Sequence, residues 1–273
     1  MTQSTTSNSS NISNASIVFV IAPSGTGKTF TGDYLEMMHG YEHVDGDYPG
    51  KNSHLPQYAD MTQNFMKVVN EYLPKNEDGP EELWQPYFAE LARLTLKAAE
   101  TSEKVVLTHA TYRQAWRKYL IQKLIEGGAS PDQISVVALT IDEGVKIKGL
   151  YLRAKQHLES AGLSLEQHCR SHYGWEGEGE ITCEEYVSLY KKHDPLGSVI
   201  FEGPPAGSKL VDVSSRNLDA LDAINEALGL EKQTIGEKYE ELVSRINAVD
   251  AKRMEECLKH YDNVKKVSKG ENE

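Results

Sequence analysis

Ile17-Val-Phe-Val-Ile-Ala-Pro-Ser-Gly-Thr-Gly-Lys-Thr29 decides how this chain is read. A short apolar run of strand character opens into a Gly-rich turn. The turn ends in Gly27-Lys28-Thr29, and a helix-compatible run starts at Phe30. Strand, loop and helix in that order make a phosphate-binding loop. Successive backbone N–H groups curl inward toward phosphate oxygens, and the helix points the positive end of its dipole at the anion. Gly25 and Gly27 permit backbone angles and close approaches that a Cβ obstructs. Ser24, Gly25, Thr26, Gly27, Lys28 and Thr29 are therefore the expected nucleotide-binding residues. Lys28 is placed to reach the β/γ-phosphates, and the Thr29 hydroxyl to bind Mg2+. Ala22 stands where such loops usually carry their first glycine. A chance Gly-Lys-Thr in a surface turn is the bland alternative, and the strand-loop-helix context weighs against it.

The rest of the chain alternates apolar strand-like runs with helix-like segments, the pattern of a parallel sheet wrapped by helices. Strands are expected at Ile17–Ile21, Glu42–Val44, Lys104–Thr108, Ile134–Ile141, Ser198–Phe201 and Lys209–Val213. Helices are expected at Lys28–Met38, Tyr58–Tyr72, Glu81–Ser102, Tyr112–Glu126, Glu143–Ala161, Cys183–Lys192 and Leu218–Leu228. Gly174 to Gly179 reads as an acidic loop. Tyr239, Leu242, Val243, Ile246 and Val249 recur at helical spacing, so the C-terminal stretch reads as a further helix packed on the domain or on a partner. Residues 1–16 are rich in Ser, Thr and Asn and read as a disordered tail. Residues 17–230 form the main domain, and 231–273 a helix with a frayed end.

Net charge is −12. A nucleic acid or an anionic membrane surface is thereby disfavoured as a partner. No apolar run approaches the roughly 18 residues of a membrane span. Cys169, Cys183 and Cys257 are too few and too scattered for a disulfide framework, which fits a reducing, cytoplasmic compartment. The start has neither a basic secretory n-region nor transit-peptide arginines.

Three constellations surround the loop. His43-Val-Asp45-Gly-Asp47 follows the second strand, where substrate groups gather in open α/β sheets. One of its two acids can hold Mg2+ through water. The other can accept a hydroxyl proton or bind substrate hydroxyls. An ordinary Asp-Gly turn is the competing reading. Thr108-His109-Ala-Thr-Tyr-Arg113-Gln-Ala-Trp-Arg117 follows the third strand. Its arginines sit four apart and could fork onto an anion, with ordinary surface arginine as the alternative. His109 at the strand tip could touch substrate, though a lone His is more often structural. Arg153-Ala-Lys155-Gln-His157 supplies cations for a lid over a transferring phosphoryl group, or else a solvated helix face. His168, Cys169, His172 and Cys183 lack a convincing second ligand pair for zinc.

Taken together, these segments resemble the gluconate kinase group of P-loop small-molecule kinases, akin to shikimate and adenylate kinases. The phosphate loop, Asp45-Gly-Asp47, His109-Ala-Thr-Tyr-Arg113, Arg153 with His157, Phe201-Glu-Gly-Pro-Pro205 and Leu210-Val-Asp-Val213 are similar, in order, to that family's motifs. Pro49-Gly-Lys-Asn52 looks like the remnant of a His-Pro-x-x-Asn. The resemblance implies a three-layer P-loop fold, with a parallel sheet, helices on both faces, a lid around 153–180 and a C-terminal helical extension. It implies ATP and Mg2+, with Thr29 and Asp45 on the metal. Lys28, Asp47 and Arg153 would be catalytic, and Asp47, Arg113 and His109 would hold substrate. The expected function is ATP-dependent transfer of a γ-phosphoryl group to a hydroxyl of a small, anionic metabolite, a gluconate-like sugar acid first. A nucleoside or nucleotide kinase is the alternative within the class, and a non-catalytic nucleotide-binding module the alternative outside it. A homodimer is left open. The segment from Asn52 to Pro86 is longer than in the family, and the lid carries an inserted acidic loop. Both differences fall where substrate is chosen.

Overall fold

The computed structural model describes residues 14–47, 58–160, 162–193, 196, 199–232, 239–249 and 252; of 58, 59, 157 and 160 it describes the backbone alone. The Pro49–Asn52 segment lies outside the described residues. Five strands, β1 (Ser16–Ile21), β2 (Glu42–Asp45), β3 (Lys104–His109), β4 (Ile134–Thr140) and β5 (Lys209–Asp212), form one sheet in the order β2-β3-β1-β4-β5. All four pairings are parallel. β1 lies at the centre, so the loop that leaves it emerges from the middle of the sheet's carboxyl edge.

β1 shows why the sheet is covered on both sides. Ile17, Phe19 and Ile21 point into one apolar cluster with Phe88, Leu91, Trp116 and Leu120. Val18 and Val20 point into another with Tyr34, Leu35, Val211, Leu221 and Ile224. A period of two with apolar residues at every position can only be satisfied by helices on both faces. The first face carries α2 (Tyr58–Glu71), α3 (Glu81–Ala99) and α4 (Gln114–Glu126). The second carries α1 (Lys28–His39), α8 (Leu218–Leu228) and the helix over 239–249, whose Leu242 and Ile246 are fully buried there. The expected three layers and C-terminal helix are therefore present.

Helices α5 (Glu143–Ser160), α6 (Leu165–Tyr173) and α7 (Cys183–His193) hold a third, smaller cluster of Leu165, Cys169, Trp175, Ile181, Tyr186 and Val187. Burial in this cluster pushes the Cys169 thiol up to about 11. Helix α6 was not anticipated. Its signal is the capping box Ser164-Leu-Glu-Gln167, in which the Ser164 hydroxyl accepts from the Gln167 amide at 3.0 Å.

Three expectations need correction. Ser16 belongs to β1 and not to the tail. Residues 199–201 form no strand. That segment runs past the start of α4 instead, with the Ile200 amide donating to Asn76 Oδ1 at 3.1 Å and the Glu202 amide to the Tyr112 carbonyl at 3.0 Å. Helix α4 begins at Gln114, because Arg113 is its extended N-cap (φ −103°, ψ 141°).

Candidate active site

The loop between β1 and α1 takes the conformation its glycines allow. Gly25 (φ 81°) and Gly27 (φ 105°) both lie in the left-handed region. A Cβ on Gly25 would stand 2.7 Å from Leu150 Cδ2 of α5, so the loop runs directly beneath that helix. Ala22, in the first-glycine position, is fully buried in the sheet core. The Ser24 amide donates to the Tyr112 hydroxyl at 3.1 Å. Thr26 Oγ1 is the one buried side-chain oxygen or nitrogen without a partner among the described residues. Such an orphaned hydroxyl is costly in a core and apt in a loop that receives an anion.

Lys28 is 6 % exposed, and its ammonium donates to the Pro23 carbonyl at 3.1 Å. Burial lowers its pKa; Asp47 and Asp45 pull it back up, and Arg153 pushes it down. Three of the expected residues, Asp47, Asp45 and Arg153, thus act electrostatically on a fourth, Lys28. Thr29 is half-buried at the start of α1.

The Asp45-Gly46-Asp47 turn is pinned. Asp45 Oδ1 accepts the Asp47 amide at 3.0 Å, the Gly46 amide donates to the Thr108 carbonyl at 2.7 Å, and Tyr87 donates to the Gly46 carbonyl at 2.5 Å. A Cβ at Gly46 would stand 2.7 Å from the Thr108 carbonyl oxygen, so glycine is required by close approach. Asp45 is buried, whereas the Asp47 side chain is 49 % exposed and open to a ligand. Beneath the turn, His43 Nδ1 lies 2.8 Å from Asp33 Oδ1 and its Nε2 lies 2.8 Å from Thr108 Oγ1. This buried chain ties α1 to β2 and β3. Asp33, Glu36 and His43 form the one grouping of metal-ligating side chains among the described residues, yet both ring nitrogens of His43 already have partners.

His109 is buried among Phe65, Tyr87 and Phe88. Burial lowers its pKa to about 4, with Asp47 opposing and Lys28 assisting. The 3.8 Å separation between its Nε2 and Asp47 Oδ1 is therefore not an ion pair at neutral pH, and it is too long for a hydrogen bond. Its Nδ1 pairs with Thr111 Oγ1 at 3.1 Å. A folded pKa of about 4 against 6.5 means that the unfolded chain binds a proton first as pH falls. The stability contributed by neutral His109 is complete above about pH 6.5 and is lost as pH drops toward 4. Between about pH 7 and 5 the loss should reach roughly 2 kcal/mol. Urea unfolding at both pH values checks this. His109→Phe should shrink the pH dependence by that amount, and an unchanged slope would refute the assignment.

Arg113, expected to hold substrate, has partners within the protein. Its Nε donates to Asp78 Oδ1 at 2.6 Å and its Nη2 to Glu202 Oε1 at 3.0 Å, leaving the side chain 12 % exposed. Glu202 also accepts the Gln114 amide at the start of α4. The fork expected to grip substrate is held by two carboxylates of the protein. Arg117, read as a surface or anion-binding arginine, is fully buried. It donates to the carbonyls of Thr111 (2.7 Å), Gly203 (2.6 Å) and Tyr112 (3.0 Å), and its guanidinium lies 4.3 Å from the Phe201 ring centre. Arg153 is exposed on α5, and the side chain of His157 lies outside those described.

Arg216, which sequence reasoning missed, reaches the loop from the turn after β5. Its Nη2 donates to the Gly25 carbonyl at 2.8 Å. The available signal was position: Arg216 stands just past a strand's carboxyl end, where ligands bind in such sheets. Between the loop and helices α5 and α7 lies a cavity of ≈ 200 Å³, lined by Pro23, Ser24, Tyr112, Leu150, Tyr186 and Phe201 among others. No described helix is long and apolar enough to cross a membrane.

No protein-family model matches the chain, nor does any curated sequence. Solved structures do resemble it. A gluconokinase from Sinorhizobium meliloti 1021 is 19% identical over 79% of this chain and 90% of that one, at a TM-score of 0.42. A sugar kinase from Janibacter sp. HTCC2649 is 13% identical over 80% and 96%, at 0.44. A shikimate kinase from Bacteroides thetaiotaomicron is 12% identical over 79% and 99%, at 0.36. These structural neighbours are P-loop small-molecule kinases. Likenesses this distant assign no role to any residue.

Proposed function

We propose that this chain is an ATP-dependent kinase acting on a hydroxyl of a small anionic metabolite, with a sugar acid as the first candidate. One observation supports it above the others. A buried lysine in a glycine loop at the centre of a parallel sheet is electrostatically coupled to two strand-end aspartates, one buried and one open. That arrangement offers a cation for a phosphate chain and carboxylates for a metal and an acceptor hydroxyl.

The orphaned Thr26 hydroxyl, the left-handed glycines and the hard oxygens of Thr29 and Asp45 fit Mg-ATP. Thr29 and Asp45 would hold Mg2+, which neutralises phosphate charge when bound. Lys28 and the loop amides would hold the β- and γ-phosphates. Asp47 would orient the acceptor hydroxyl and take its proton. A new P–O bond forms to that oxygen as the bond to the ADP oxygen breaks, so the products are ADP and a phosphate monoester. Arg153 would come over the transferring group from the lid. Arg113 would contribute by fixing the start of α4, while neutral His109 would pack behind Asp47 without competing for its charge. Catalysis of this kind is mostly positioning and charge stabilisation.

The test is ADP release across a panel of sugar acids, neutral sugars and nucleoside monophosphates. A sugar acid should stimulate release in the wild type. Asp47→Asn should lose that stimulation by about 10²-fold or more while still binding ATP. Stimulation by a nucleoside monophosphate alone would replace this reading with a nucleotide kinase. Silence across the panel alongside measurable ATP affinity would replace it with a binding module.

A further inference from the structure

Three buried polar side chains beneath the site have no role in the transfer described above. Asp33 and Thr108 are each 1 % exposed, and the His43 side chain is 0 % exposed. The His43 ring lies between the other two, with Nδ1 2.8 Å from Asp33 Oδ1 and Nε2 2.8 Å from Thr108 Oγ1. Both ring nitrogens are used, so the ring cannot turn without stranding buried polar groups. Room has been made for it. A Cβ on Gly32 would stand 2.2 Å from His43 Nε2. Glycine inside a helix is unfavourable on its own account. Here a Cβ would drive the ring off its partners.

The two ends of this chain lie in the two halves of the site. Asp33 is on α1, one helical turn beyond Thr29, so it moves with Lys28 and Thr29 as one piece. Thr108 stands opposite Asp45 in the β2–β3 register, and its carbonyl accepts the Gly46 amide at 2.7 Å. Gly46 separates Asp45 from Asp47. Three side chains therefore run from the helix that carries the lysine to the turn that carries the two aspartates. Apolar side chains could fill the same space without burying three polar groups. What hydrogen bonds add is direction, because an apolar contact can slide and a bonded chain cannot.

We infer that His43, held between Asp33 and Thr108, is a positioning residue that fixes the distance between Lys28 and the Asp45–Asp47 turn. It touches neither nucleotide nor acceptor. It acts through α1 and Thr108 on the geometry of transfer, where a misplacement of about 1 Å costs on the order of 10²-fold in rate. This rests on the kinase reading above, and its test separates the two.

ADP release from Mg-ATP, with the fastest acceptor of the panel at saturation, gives kcat, and calorimetry with Mg-ATP gives nucleotide affinity. Thr108→Val keeps the shape and removes the hydroxyl. It should lower kcat about 10- to 100-fold, while one-to-one Mg-ATP binding stays within about twofold of wild type. Thr108→Ser restores the hydroxyl and should recover kcat to within about threefold of wild type. Gly32→Ala favours the helix yet displaces the ring, so it should lower kcat as Thr108→Val does. The double variant should be no slower than the slower single one, because both break one unit. Wild-type kcat in either folded variant overturns the inference and spares the kinase reading. A loss that Thr108→Ser does not recover, or one carried by weaker Mg-ATP binding at unchanged kcat, also overturns it. If neither variant folds, the chain serves stability and the inference falls. A wild type that turns over no member of the panel overturns the kinase reading itself.

Discussion

Lys28→Ala should abolish ATP-dependent phosphoryl transfer, lowering turnover by about 10³-fold or more, while the protein stays folded. Lys28 is a poor candidate for a structural lysine. It is 6 % exposed, yet its one hydrogen bond is to the carbonyl of Pro23, a neighbour within the same loop. Burial lowers its pKa, and Asp47 and Asp45 offset part of that fall. An ammonium in a dry loop is expensive unless it meets an anion, and in the proposed reaction the γ-phosphoryl group would be that anion. Removing it relieves the desolvation cost, so thermal stability should hold or rise. Turnover measured on folded protein gives the answer. Activity within about tenfold of wild type would remove Lys28 from the mechanism.

Arg117→Met should produce the largest loss of stability, about 3 kcal/mol or more. The side chain is fully buried and bonds three carbonyls on two separated segments, Thr111 and Tyr112 after β3 and Gly203 before β5. Phe201 stacks on its guanidinium. Burial lowers its pKa to about 10, which leaves it charged at neutral pH. Methionine fills much of the volume and satisfies none of the carbonyls. Because Tyr112 also receives the Ser24 amide, detachment of this clamp should loosen the phosphate loop as well. Thermal unfolding should show a fall of roughly 10 °C, with Arg117→Lys intermediate. A shift of about 1 °C or less would show that the carbonyls find other partners.

What could be read from the chain and what could not divides by distance along it. β1, the phosphate loop and the start of α1 are contiguous, so their apolar run, glycines and Lys-Thr pair sit side by side in the sequence. Asp45-Gly46-Asp47 was legible for the same reason, although the close approach of Thr108 that makes Gly46 necessary was not. Arg113 and Arg117 carry no local mark of their partners. Asp78, Glu202 and Gly203 come from segments far along the chain, and only the folded molecule shows them as partners of these two arginines. The segment at 199–201 reads as a strand because it is apolar, but it joins no sheet, and its Phe201 ring lies against Tyr112 and the Arg117 guanidinium instead. Arg216 escaped because nothing local distinguishes it. Its contact with the Gly25 carbonyl comes from the strand order, which brings the end of β5 to the side of the loop away from Asp47.

The most direct measurement is a calorimetric titration of the purified wild type with Mg-ATP. A saturable, one-to-one heat with a Kd of about 1 mM or tighter is expected, abolished or greatly weakened in Lys28→Ala. Folded protein that takes up no Mg-ATP, or that binds it equally well without Lys28, would contradict the assignment of residues 22–29 as a phosphate-binding loop.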